Sequence, residues 1–133
     1  QNEDEIEILL SKTDPNFVHL CADTGHLLFA GVDPVEFFQK HINRIKHIHF
    51  KDIRPGIFNN INPKKESFLR LVLKGIFTVP GDGCIDFITI GNNLKRSDYK
   101  GWIIVEAEQD PEKANPLEYA LLSKKYLEKI WSN

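Results

Sequence analysis

The chain has 133 residues, 41% hydrophobic and 27% charged, the usage of one globular domain with its own core and not of a disordered tail. A formal charge of −2 gives no general attraction to nucleic acid, and no apolar run approaches the length of a membrane span, so neither nucleic acid nor a membrane is expected as a partner. Two cysteines, Cys21 and Cys84, make neither a disulfide framework nor a CxxC knuckle; both sit in apolar contexts suited to buried thiols, and a reducing, cytoplasmic setting is the expectation.

The first residues, "QNEDEIEILL", are acidic where a secretory leader would be basic and then apolar. Methionine is absent and the chain opens as if inside a helix, so residues 1–133 are expected to be one domain cut from a longer polypeptide. "EDEIEILLSKT" spaces Ile6, Leu9 and Leu10 at helical intervals, and "DPN" ends that helix. "FVHLCAD" reads as a buried strand. In "GVDPVEFFQKHINR", Asp33 is the expected N-cap, Pro34 takes the first helical position, and Val35, Phe37, Phe38 and Ile42 form the apolar face. "IKHIHFKD" is the second strand, followed by the Pro-, Gly- and Asn-rich segment "IRPGIFNNINPKKES", which reads as a long loop. "FLRLVLKGI" is a helix ended near Gly75. "FTVPGDG" is a short strand running into a Gly-rich turn, "CIDFITIGNNLKRSDY" a helix capped by Asp86, and "GWIIVEAE" a further buried strand. "PLEYALLSKKYLEKIW" closes the series as a helix with Leu117, Ala120, Leu121, Tyr126, Leu127 and Ile130 on its apolar face.

A helix followed by four strand–helix units predicts an α/β fold with four parallel strands. That pattern fits an open doubly wound sheet or half of a (β/α)8 barrel, and in both the reactive groups gather at the carboxyl ends of the strands. The polar residues lie there: Asp23 and His26 after the first strand, His47, His49 and Lys51 on the second, Glu106 and Glu108 after the last. On the second strand His47, His49 and Lys51 share one side while Ile48 and Phe50 take the other. A wetted surface strand gives the same alternation. Asp23 alone reads as a cap of the turn before Gly25, His26 alone as a surface loop residue, and His19 and His41 as structural or solvated. Glu106 ends an apolar strand, where an unpaired carboxylate would be costly, so a cation or a positive side chain is implied; with His49 beside it, a divalent metal leads. "PGDG" is read as a plain turn, since it matches no phosphate-loop pattern.

Together "ADTGH", "HIHFKD", "PGDGCIDF" and "GWIIVEAEQDP" resemble the C-terminal half of the xylose isomerase-like TIM barrels, and within them the myo-inosose-2 dehydratases of inositol catabolism, to which "VEAEQDP" and "NPLEYA" point more narrowly. The resemblance implies the C-terminal half of a (β/α)8 barrel and one divalent ion, Mn²⁺ or Co²⁺, held by Asp23, His49 and Glu106. It implies substrate contacts from His26, Lys51 and Arg54. A further family ligand, a glutamate ending the preceding strand, would lie upstream of Gln1.

The activity so implied is loss of water from a keto-inositol, with Glu106 or its upstream counterpart taking the α-proton and Lys51 or His26 protonating the departing hydroxyl. A sugar isomerase or ketose 3-epimerase would use the same ligands without losing water. A nuclease of the endonuclease IV type would need more ligands and a basic groove, and a non-catalytic barrel half would not bind the ion. Two structural expectations follow. Residues 54–67 should lie over the site with little to anchor them, and a half barrel should seek either a missing N-terminal half or a second copy to cover its open edges.

Overall fold

The structure, a computed structural model, describes residues 2–62 and 65–132. Its helices begin where a side chain can accept the otherwise unpaired N–H groups of the first turn. Asn2 caps α1 (Glu3–Ser11) in a reciprocal box with Glu5. Asp23 caps α2 (Thr24–Phe29), and Asp33 caps α3 (Pro34–His41) with Pro34 at the first position. After the short α4 (Pro55–Phe58), Ser67, Asp86 and Asn115 cap α5 (Phe68–Leu73), α6 (Phe87–Arg96) and α7 (Pro116–Trp131). Among the described residues no helix is long and apolar enough to cross a membrane.

Strands β1 (Leu20–Asp23), β2 (Ile45–Phe50) and β5 (Trp102–Val105) form one parallel sheet in the order β1-β2-β5. One face is packed: Ala22, Ile48 and Phe50 meet Phe37, Phe38, Phe87, Ile90, Leu94 and Ile130 from the helices. Phe38, Phe50 and Phe87 have no solvent exposure, and each such burial contributes about 2–3 kcal/mol against the entropy of ordering the chain. The other face carries the rows Cys21–His47–Trp102 and Asp23–His49–Ile104, set by the strand register. That face is open, with Trp102 76% exposed.

Parallel α/β architecture is as expected, but the parallel sheet has three strands among the described residues, not four. "FTVPGDG" contributes only β4 (Phe77–Thr78), which pairs antiparallel with β3 (Asp52–Ile53) outside the main sheet. The reason is local: β4 ends at Thr78, and Pro80 just beyond it gives no N–H to a ladder. β5 therefore pairs directly with β2 and stands at the sheet edge.

Three further expectations are corrected. Cys21 and Cys84 are exposed, because Cys21 points to the open face and Cys84 lies in the turn before α6. β5 is not buried, since nothing covers its open side. The segment after β2 is not unanchored: Arg54 is fixed by hydrogen bonds, and Ile57, Phe58 and Ile61 pack on the second apolar cluster of Ile53, Leu71, Ile76 and Phe77. Pro63 and Lys64 of the same segment lie outside the described residues.

Candidate metal centre

Asp23, His49 and Glu106 come together because their strands are neighbours in register. Asp23 and His49 are Cα partners on β1 and β2, and the Glu106 N–H donates to the carbonyl of Phe50, continuing the β2–β5 ladder by one step. His49 Nδ1 lies 2.9 Å from Glu106 Oε2 and 3.7 Å from Asp23 Oδ2. One donor atom from each of the three residues falls within 4.8 Å of the other two. Two carboxylates and an imidazole so placed are a fitting donor set for Mn²⁺ or Co²⁺. The other Asp23 oxygen, Oδ1, accepts the His26 N–H as the cap of α2, so the turn expected at Asp23 is the first turn of a helix and Oδ2 alone faces the group.

Lys51 stands at the middle of this group. Its side chain is 1% exposed, and Nζ lies 3.2 Å from Asp23, 3.3 Å from Glu106 and 3.5 Å from Glu108. The same nitrogen is 2.8 Å from His26 Nε2 and 5.2 Å above the ring of Phe77. Two features let so long a side chain fold inward. The Thr24 hydroxyl donates to the Lys51 carbonyl at 2.7 Å and accepts the Lys51 N–H at 3.0 Å. A Cβ at Gly25 would sit 2.8 Å from Lys51 Cγ, so only glycine leaves room for the stem. Burial pushes the Glu106 carboxyl up, but the charge and hydrogen bond of Lys51, with the charge of His49, outweigh it and hold the carboxyl below its ordinary value.

His26 joins the group. Its ring stacks on Phe77 at 5.2 Å with the planes 4° apart, and Nε2 faces Glu108 at 3.4 Å. Arg54 does not point into it. Its guanidinium contacts Asp82 at 2.9 Å, the carbonyls of Gly75 and Phe77 at 2.7 and 3.1 Å, Thr78 at 3.0 Å and Tyr119 at 3.2 Å. It holds β4 and thereby the ring of Phe77. His41 is buried under α1 against Glu7, and His19 lines a cleft beside β1 that Asp23 and His26 also border.

Sequence reasoning missed Phe77 and Thr24. Both act through folding partners remote in the chain, so no spacing could reveal them. Glu108 was visible after the last strand, but only the fold turns it toward Lys51 and His26.

Residues 1–130 match the family model of the xylose isomerase-like TIM barrel. The chain is 53% identical over 128 residues to the inosose dehydratase of Clostridium tetani and 50% identical over 128 residues to that of Bacillus velezensis, covering 96% of this chain and 43% of each relative. It thus spans less than half the length of these curated relatives. Among solved structures, a sugar phosphate isomerase/epimerase from Parabacteroides distasonis aligns over 92% of this chain and 35% of its own, with TM-score 0.65 and 24% identity. The probable 3-DHS dehydratase AsbF from Bacillus anthracis aligns over 92% of this chain and 42% of its own, with TM-score 0.62 and 22% identity. At these identities the two structures speak for the fold alone, whereas the family model over nearly the whole length and the much higher identity to the curated proteins establish that the chain belongs to the xylose isomerase-like TIM-barrel family.

Proposed function

We propose that this chain is the metal-binding part of an inosose dehydratase, a hydro-lyase that removes water from 2-keto-myo-inositol to give a trihydroxycyclohexanedione. The observation that carries the reading is the convergence of Asp23, His49 and Glu106 at neighbouring strand ends, in a chain about half identical to proteins named for that activity.

When bound, Mn²⁺ or Co²⁺ supplies Lewis-acid polarisation of the ketone. Asp23, His49 and Glu106 would hold it. Glu106, held ionised by Lys51, would accept the α-proton as the carbanion develops. Lys51 Nζ would donate a proton to the departing hydroxyl, with His26 Nε2, 2.8 Å away, accepting its hydrogen bond and orienting it; solvent returns a proton to Lys51 and takes the one gained by Glu106 between turnovers. Phe77 keeps the His26 ring in plane for that transfer. The complete site needs the sequence that the longer relatives possess, which we propose closes the open face of the sheet; a second copy of the chain is the other candidate for that cover.

The test is an assay of the full-length protein with 2-keto-myo-inositol, before and after chelation and Mn²⁺ return. Dione formation that follows the metal supports the proposal. Epimerisation of a ketose without dione would replace it by the isomerase reading.

A further inference from the structure

The row of side chains next to the carboxylate cluster is also unusual for the inside of a barrel sheet. Cys21 and His47 are Cα partners on β1 and β2, and His49 is the next residue along the same side of β2. Donor atoms of Cys21, His47 and His49 all lie within 4.8 Å of one another. The two imidazole rings meet edge to face at 5.2 Å. Neither the Cys21 thiol nor the His47 imidazole has a hydrogen bond or ion pair among the described residues. A side chain that packs a barrel interior is ordinarily branched and apolar; here a thiol and an imidazole without partners share one space with His49, whose Nδ1 also faces Glu106.

We propose that Cys21, His47 and His49 form a second metal site, of a different class from the first, which takes a borderline-soft ion, Zn²⁺ above all. One thiolate and two imidazoles with a fourth position for water suit tetrahedral zinc and suit Mn²⁺ poorly. On binding, the thiol gives its proton to solvent and sulfur becomes a ligand. The other additional candidate, Glu3, Glu7 and His41, differs in one respect: Lys40 already pairs with Glu3 and Glu7, so its charge is answered from within the protein. Among the described residues no lysine answers Cys21 and His47.

His49 belongs to both groups. Zinc held by Cys21 and His47 therefore draws on a ligand of the carboxylate site and sets a second dication beside it. Zinc binding should thus weaken Mn²⁺ binding next door.

The test uses the full-length protein. With Co²⁺ as probe, the wild type should show a near-ultraviolet sulfur-to-cobalt charge-transfer band that Cys21→Ser abolishes and Cys84→Ser leaves. Cys21→Ser and His47→Gln should each weaken Zn²⁺ binding by about tenfold or more, measured by competition with a chelator. Because a variant can misfold, zinc X-ray absorption on the wild type gives an independent reading, with one sulfur neighbour at about 2.3 Å expected. A zinc shell of nitrogen and oxygen only, or a charge-transfer band that survives Cys21→Ser, would overturn the proposal, whatever the dehydratase assay shows.

Discussion

Lys51 and Arg54 are near neighbours in sequence and both meet carboxylate, yet they lead opposite lives. Arg54 spreads its N–H groups over one carboxylate, two backbone carbonyls and two hydroxyls, so charge and geometry are both satisfied. Lys51 offers one positive charge to Asp23, Glu106 and Glu108, at distances of 3.2 to 3.5 Å. The first arrangement is closed and structural. The second sets three carboxylates around one ammonium, with the His49 and His26 rings as further partners, and on the proposed function that surplus of anionic oxygen is what receives a further cation. An excess of one charge, with the partners held rigidly, separates a binding site from a brace.

The largest effect should come from removing the cover over the open face. On the proposed function, the isolated chain should show no dehydratase turnover and should bind Mn²⁺ about 100-fold or more weakly than the full-length protein, since the further oxygen ligand that the family resemblance implies, and the orientation it gives, would both be missing. Metal titration and the dione assay on the two proteins side by side measure this, and tight binding with full turnover by the isolated chain would contradict it.

Next, in the full-length protein, Asp23→Asn, His49→Ala and Glu106→Gln should each lower kcat/KM on the order of 10³-fold and reduce bound manganese. Lys51→Met sharpens the comparison because it removes the ammonium that all three carboxylates face. It should lower kcat by about 10²-fold while Mn²⁺ binds as tightly as before or more so. Loss of metal together with activity in that variant would show that Lys51 supports the ligands and does not take part in the chemistry.

Arg54→Ala should do the reverse, lowering stability in urea by about 2 kcal/mol, the scale of losing charged hydrogen bonds in a partly buried network, and changing metal content little.

The smallest effect concerns Asp52, beside that brace. Burial raises its carboxyl above the ordinary range, against hydrogen bonds from the N–H groups of Ile85 and Ile53. A raised folded pKa means the native state holds the proton longer. Its contribution to stability is complete below the ordinary aspartate range and is lost as pH rises through the raised value. Urea midpoints across that window should fall less steeply in Asp52→Asn than in the wild type.

The elements were legible where local rules act alone. Asp33 and Asp86 cap their helices, Pro34 opens one, and Gly75, at φ of 83°, follows the end of another. The two faces of β2 could be read from alternation, because its period is fixed by the strand backbone. Strand count and burial were not. "FTVPGDG" and "GWIIVEAE" have the composition of inner strands, but pairing is decided by what lies beside a strand and not within it.

For the site, the sequence by itself determined which chemistry was at hand: carboxylates and imidazoles at the ends of apolar runs, with Asp23, His49 and Glu106 singled out by the family resemblance. The tertiary structure decided how those groups are answered. It folded Lys51 back among three carboxylates, made possible by Gly25 and Thr24, and stacked His26 on Phe77 from another sheet. It also withdrew Arg54 into a brace and set Cys21 against His47. Residue identity fixes what a group can do, and local spacing fixes which side of an element it occupies. Which opposite charge, ring or backbone carbonyl it meets depends on contacts between segments remote in the chain, and those exist only once the strands have paired.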